Sequence, residues 1–319
     1  MGNCSYGLCG GGQSSAQIYK SVKKRGHNCL YLNPLRNIRE QKKLIARDDD
    51  SQKIVICEFP DKIFLKLCLY LRKKGAIIIY RNVDDWQNMP DNSWYSQKVE
   101  IKLIKLADYC FASTDSIIRK LQHIRTIELL PNAVDIEQFR KKPAVEPKDL
   151  HQGEITVGFW GLLARWIDLE LIFETAAKMP QWSFNIIGPD YFNRLAQHKN
   201  IPSNVYFLGE KKISDLHKFA YYFDVCILPC RLNSLEIKNS HPMKILEYLA
   251  SYKPVVTGNT IESIRKYPYI FTYKNEKEFI KQIERVKKTK INKNKIDLFL
   301  KDKTWDHFIN IILNKVKAL

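Results

Sequence analysis

The chain has 319 residues, and its 52 Lys+Arg against 34 Asp+Glu leave a formal net charge of +18, so every anionic surface in the cell is a potential partner. An apolar fraction of 45%, 12% aromatics and only 13 Gly and 13 Pro exclude a disordered, collagenous or low-complexity chain. No run reaches the roughly 18 to 20 uncharged apolar residues of a membrane-spanning helix, since the most apolar stretch, 63–71, is interrupted by Lys66.

Short β-branched or aromatic runs alternate with helix-length amphipathic segments, the rhythm of an α/β fold. In the first half strands are predicted over 29–32, 53–57, 76–80, 109–112 and 127–130, and helices over 14–25, 61–74, 94–106 and 116–123. The strand runs are too continuously apolar for a half-exposed sheet, so parallel strands with helices on both faces are expected. Residues 141–153, with two prolines, several charges and no periodicity, read as a linker. After it the series repeats, with strands over 155–160, 182–187, 204–208, 225–228 and 254–256 and helices over 169–178, 213–220, 242–251 and 276–286. Two doubly wound domains, 1–145 and 146–319, follow from this repetition. Such domains place ligands outside the carboxyl ends of the strands, so a cleft between the halves is the expected site. The tail from Lys287 is basic and helical in pattern; residues 281–319 carry 11 Lys+Arg and four Asp+Glu. Its apolar residues Trp305, Phe308, Ile309 and Ile312 need a surface to pack on, and a return to the first domain is expected.

The first dozen residues are small and polar and lack the basic-then-apolar pattern of a secretory signal, so a cytoplasmic location is expected. The eight cysteines show neither a CxxC pair nor a His at metal-ligand spacing and read as reduced, largely buried thiols. Asp48-Asp49-Asp50 precedes its strand instead of following one, which makes it a solvated turn; no metal site is expected.

The segment from Ser240 to Val256, SHPMKILEYLASYKPVV, carries the most chemistry. Pro242 fixes a helix start, and a helix start offers unpaired amides and a partial positive charge to a diphosphate. Lys244 in the first turn adds a full charge, His241 stands beside the same start, and Glu247 one turn on suits two vicinal hydroxyls such as a ribose presents. As plain helix residues, Lys244 and Glu247 would instead face solvent.

This segment resembles the donor-binding helix of the retaining GT-B glycosyltransferases of the group 1, family 4-like type found in bacterial cell-surface polysaccharide synthesis, which read roughly P-x-K-x-x-E-Y-x-A-x-G-K-P-V-V. Other elements follow in the family's order: Gly10-Gly11-Gly12 before the first helix, Leu130-Pro131-Asn132-Ala133-Val134-Asp135 with Phe139, and Val157-Gly158-Phe159-Trp160-Gly161 followed by Asp168. The resemblance implies two Rossmann-like domains facing a central cleft, the first binding acceptor and the second the nucleotide sugar. It assigns Pro242, Met243 and Lys244 to the pyrophosphate, Glu247 to the ribose, and Gly161 to the loop beneath the donor. The family often has a second Glu eight residues before Glu247; here it is Asn239, whose amide still bonds sugar hydroxyls. Leu162 stands where many members have an Arg, leaving Arg165 as the nearest substitute. Gly11 and Gly12 would let the backbone approach acceptor or donor phosphates, since the run is not a GxGxxG dinucleotide fingerprint.

Tyr80-Arg81-Asn82-Val83-Asp84-Asp85-Trp86 follows a buried strand and resembles the family's Y-D-x-x-D-D-W segment. Asp84 or Asp85 would orient or deprotonate an acceptor hydroxyl, with Asp84 preferred; a carboxylate capping the next helix is the alternative. The implied activity is glycosyl transfer from a nucleotide-diphosphate sugar to a glycan or lipid-linked acceptor, retaining and metal-independent, with no cofactor beyond that co-substrate. The departures at Asn239 and Leu162 keep open a non-catalytic nucleotide-sugar-binding or scaffolding subunit. No zinc-finger, RRM-like or helix-turn-helix pattern interleaves with the basic residues, so nucleic acid is not expected as a partner. Lys20, Lys23, Lys24 and Arg25, then Lys62, Lys66, Arg72, Lys73 and Lys74, accompany amphipathic helices, which suits peripheral binding at the inner face of the plasma membrane; a merely Lys-rich composition is the competing explanation.

Overall fold

The central apolar runs become strands buried on both faces, and this decides the architecture. A computed structural model of the chain describes residues 11–27, 52–89 and 92–318. The strand expected over 29–32, the Asp48–Asp50 turn, Gly10, Cys4, Cys9 and Cys29 lie outside them. The chain divides into two units, one of Met1–Asn132, Asn239–His241 and Trp305–Leu319 and one of Ala133–Lys238 and Pro242–Thr304.

The first unit holds β1 (Ile54–Cys57), β2 (Ile77–Asn82), β3 (Tyr109–Ala112) and β4 (Glu128–Leu129), all parallel in that order. Every residue of β2 is buried, as a central strand between two helical layers requires. Its helices are α1 (Gly11–Lys24), α2 (Lys62–Arg72), α3 (Gln97–Leu106), α4 (Asp115–Leu121) and, from the far end of the chain, the helix Trp305–Lys317. Asp61 and Thr114 cap α2 and α4 by accepting from the amides of Ile63 and Ile117. Helix α3 starts three residues later than the periodicity suggests, because Trp94 turns its ring edge onto Trp86 at 5.4 Å and tilts against Phe59 at 6.1 Å.

The second unit contains α5 (Ile136–Arg140), β5 (Thr156–Trp160), α6 (Leu169–Lys178), β6 (Ser183–Ile187), β7 (Val205–Phe207), α7 (Leu216–Ala220), β8 (Val225–Leu228), α8 (Leu235–Lys238), α9 (Met243–Ala250), β9 (Val255–Gly258), β10 (Ile270–Tyr273), α10 (Glu276–Lys287) and α11 (Lys293–Leu300). Its six parallel strands run β10-β9-β8-β5-β6-β7. Strand β10 and helices α5 and α8 have no counterpart in the periodicity, being only four or five residues long. Residues 133–145, read from sequence with the first half, pack in the second unit: Phe139 stacks on Trp160 with centroids 5.9 Å apart and an interplanar angle of 6°.

The basic tail forms two helices instead of one. Helix α11 buries Ile296 and Leu300 in the second unit, the chain breaks at Asp302-Lys303, and Thr304 pairs with Val134 in a parallel bridge. Helix α12 (Trp305–Lys317) then belongs to the first unit, burying Trp305, Phe308, Ile309 and Ile312. It meets α1 through Ser21, which donates to Asp306 at 2.8 Å, and Arg25, which donates to Asn310 at 2.7 Å. Cys57, Cys68, Cys110, Cys226 and Cys230 are free and buried; burial pushes the Cys110 thiol up to about 11, so it stays protonated at neutral pH.

Candidate functional site

In the second unit the strand order reverses beside β5, which has β8 on one side and β6 on the other. Ligands of doubly wound sheets collect at the carboxyl ends of strands flanking such a reversal. Two glycines shape this end. Gly161, directly after β5, has φ 140° and donates its amide to Ile187 O at 2.8 Å; Gly188, directly after β6, has φ 144° and donates to Gly209 O at 2.9 Å. A Cβ on Gly188 would lie 1.9 Å from the Gly161 carbonyl oxygen, so the two loops cross at a distance only glycine permits.

Helix α9 begins opposite this crossing. Pro242 occupies its N-cap at φ −65° and has no side chain that can cap the first turn. From that turn the Lys244 side chain lies across Gly161: a Cβ there would sit 1.8 Å from Lys244 Cε and 2.6 Å from Nζ. One turn on, Glu247 is 8% exposed, and its Oε2 accepts from Trp160 Nε1 at 2.7 Å. Burial raises the Glu247 pKa, opposed by the Trp160 hydrogen bond and the Lys244 charge. Tyr248 braces the same corner, its hydroxyl donating to Ile227 O at 3.2 Å and accepting from the Trp160 amide at 3.3 Å. Gly161, Lys244 and Glu247 are thus together at one loop, with Pro242 and Met243 opening the helix. The arrangement offers an ammonium, a helix start with no side-chain cap and a carboxylate oxygen, Oε1, that carries no hydrogen bond among the described residues.

Arg165 is exposed and lies over the Phe192 ring at 5.5 Å. Its loop is held by Arg194, buried, which donates to the carbonyls of Ala164 at 2.6 Å and Ile167 at 2.7 Å. Asp168 caps α6, accepting from Leu171 N at 3.1 Å. Sequence reasoning missed Trp160, Gly188, Tyr248 and Arg194. The G-x-W-G and I-I-G endings of β5 and β6 were visible signals for the first two; nothing local marks Arg194.

Asn239 and His241 fall in the first unit. Asn239 donates through Nδ2 to Asp85 Oδ2 at 2.9 Å, and its carbonyl accepts from Thr114 Oγ1 at 3.1 Å. His241 is buried, with its carbonyl accepting from Asn132 Nδ2 at 2.7 Å. Of the two carboxylates after β2, Asp85 is the one fixed by its surroundings. It is buried, ion-paired to Lys120, and accepts from Asn88 at 2.7 Å as well as Asn239. Burial alone would raise its pKa, but these hydrogen bonds hold it below the usual carboxylate value. Asp84 is half-buried. Beneath them Arg81 is fully buried, paired with Glu58 and donating to Asn132 Oδ1 at 2.7 Å. Ser14 and Ser15 near the start of α1 both donate to Glu58. Gly11 and Gly12 are the first residues of α1.

Residues 154–288 match the family model described as Glycosyl transferases group 1. TuaH of Bacillus subtilis (strain 168), assigned to teichuronic acid biosynthesis as a glycosyltransferase, is 26% identical over 188 residues, 56% of this chain and 47% of its own length. The chain therefore spans about half the length of the curated relative it matches. Among solved structures, Anabaena Alr3699/HepE in complex with UDP-glucose superposes with a TM-score of 0.67 at 15% identity, covering 94% of this chain and 89% of that one. The α,α-trehalose 6-phosphate synthase of Burkholderia multivorans gives 0.63 at 15% identity, covering 96% and 81%. The two parallel α/β sheets of this chain are those of the GT-B glycosyltransferase fold, and the match to the group 1 model covers less than half of the chain.

Proposed function

We propose that the chain is a glycosyltransferase that moves a sugar from a nucleotide-diphosphate donor to a glycan or lipid-linked acceptor in cell-surface polysaccharide synthesis, with retention of configuration. The observation that carries this reading is Lys244 lying across Gly161 at the carboxyl end of β5, with Glu247 one turn along the same helix. The diphosphate meets the first-turn amides of α9 and the Lys244 ammonium, which neutralise the leaving group without a metal ion. Glu247 Oε1 accepts from the ribose hydroxyls while Trp160 holds Oε2. In a retaining transfer the departing diphosphate oxygen takes the acceptor proton, and the Asp84 carboxylate orients the acceptor hydroxyl. The GT-B neighbours crystallised with UDP and UDP-glucose, and the group 1 match over 154–288, support a nucleotide-sugar donor.

Calorimetric titration with UDP tests the site: Lys244→Ala should weaken binding about tenfold or more, the usual effect of losing one charge-assisted hydrogen bond. Unchanged affinity in a folded Lys244→Ala/Glu247→Ala protein would refute the assignment. A second reading, a nucleotide-sugar-binding subunit without turnover, draws on Asn239, whose amide is committed to Asp85. Donor hydrolysis or transfer by the purified protein excludes that reading.

A further inference from the structure

A cavity opens in the second unit on the β8–β9 side of the strand-order reversal, and neither Lys244 nor Glu247 is among its lining residues. Its volume is about 330 Å³, at the small end of ligand sites. Helix α8 and the loops before it and after β9 build it. Leu232 and Leu235 supply apolar walls, Asn233 an exposed amide, and Lys238 and Arg265 two exposed cations. Among the described residues no carboxylate lines it, and the lining Ser234 donates to Glu236. Among the described residues Lys238 makes no ion pair or hydrogen bond, and the Arg265 side chain reaches only the Asn259 carbonyl, at 3.5 Å. Thr260 also lines the cavity, and its buried hydroxyl has no hydrogen-bond partner among the described residues.

Two uncompensated cations around a small cavity select an anion. Inorganic phosphate would need only the cations. The amide, the orphaned hydroxyl and the flanking leucines add donors, acceptors and an apolar face in the mixture that a pyranose ring presents. We infer that this cavity binds an acidic sugar unit, a carboxylate-bearing saccharide of one or two rings, and that Lys238 and Arg265 read its carboxylate. The inference deepens the glycosyltransferase reading and rests on it: the bound unit belongs to the glycan that the enzyme handles, held apart from the donor nucleotide.

Titration of the full chain with digalacturonate, maltose and inorganic phosphate tests it, with UDP as a separate ligand. Digalacturonate should bind, maltose and phosphate should bind far more weakly, and Lys238→Gln/Arg265→Gln should weaken digalacturonate about tenfold or more while leaving UDP affinity unchanged. Both side chains are exposed, so the double variant keeps its fold. Equal binding of maltose, equal binding of phosphate, an unaffected double variant, or displacement of digalacturonate by UDP would each overturn the inference. Digalacturonate binding in a protein that does not bind UDP would instead overturn the donor-site reading and leave the acidic-sugar cavity standing.

Discussion

Glu247 shows how a residue's burial and its role pull against each other. Its carboxylate is nearly enclosed and receives one neutral hydrogen bond, from Trp160, so ionising it in the folded protein costs more than in the unfolded chain. A carboxyl whose folded pKa is raised favours folding below its unfolded pKa, and that contribution is lost as pH rises through the folded value. Glu247→Gln keeps an oxygen for Trp160 and removes the ionisation. Its melting temperature relative to the native protein should therefore rise as pH is taken from about 4 to 8, an interval spanning ordinary and raised carboxyl values, while UDP affinity at neutral pH falls. A melting difference independent of pH would show that burial is not what strains this carboxylate. Glu247 and Lys244 were legible in sequence because helix spacing fixes their separation. Asp85 was not separable from Asp84, because only the tertiary fold brings Lys120 and Asn239 to one of two adjacent carboxylates and not the other.

At the scale of elements, strands that run as continuous apolar stretches were legible to within a residue or two, as for β3 and β8. Those that failed were short and supported from elsewhere: β10 exists because it pairs with β9, from Ile270 beside Val255 to Tyr273 beside Gly258, and α5 because Phe139 has Trp160 to stack on. Helix α12 lies between these cases, since its apolar stripe predicted a packed helix but the break at Asp302-Lys303 left no sequence mark. Its Phe308 is buried, with the Arg81 guanidinium 4.9 Å from its ring centroid. Truncating Phe308 to Ala should cost about 3 to 5 kcal/mol, the usual range for a buried aromatic. The loss should be confined to the first unit: in hydrogen exchange, amides of β1, β2 and β3 should lose protection while those of β5, β6 and β8 keep theirs. Equal loss across both sheets would mean that the two units unfold as one.

For the whole molecule the question is where a charge of +18 is directed. Much of it is spread over exposed lysines, but α2 concentrates charge together with apolar surface. Lys62, Lys66, Leu69 and Lys73 follow one another at the four-, three- and four-residue steps of a helix face, all exposed, and Ile63 beside them is exposed as well. Leu69 is 45% exposed, in a helix whose opposite face carries buried Leu65, Leu67, Cys68 and Leu71. No helix among the described residues is long and apolar enough to cross a membrane. A basic face with protruding aliphatic side chains suits an anionic leaflet, where each lysine contributes about 1 kcal/mol. Vesicles containing an anionic phospholipid should therefore retain the protein at low salt and release it at about 1 M salt, where screening acts within roughly 3 Å. Lys62→Gln/Lys66→Gln should weaken retention by about tenfold or more. Leu69→Ser should weaken it too and leave the salt dependence in place, because the leucine contributes burial and no charge. Equal retention on neutral vesicles, or binding indifferent to salt, would mean that the +18 reflects lysine-rich composition and does not direct the chain to a membrane, and the donor site around Lys244 would be untouched by that result.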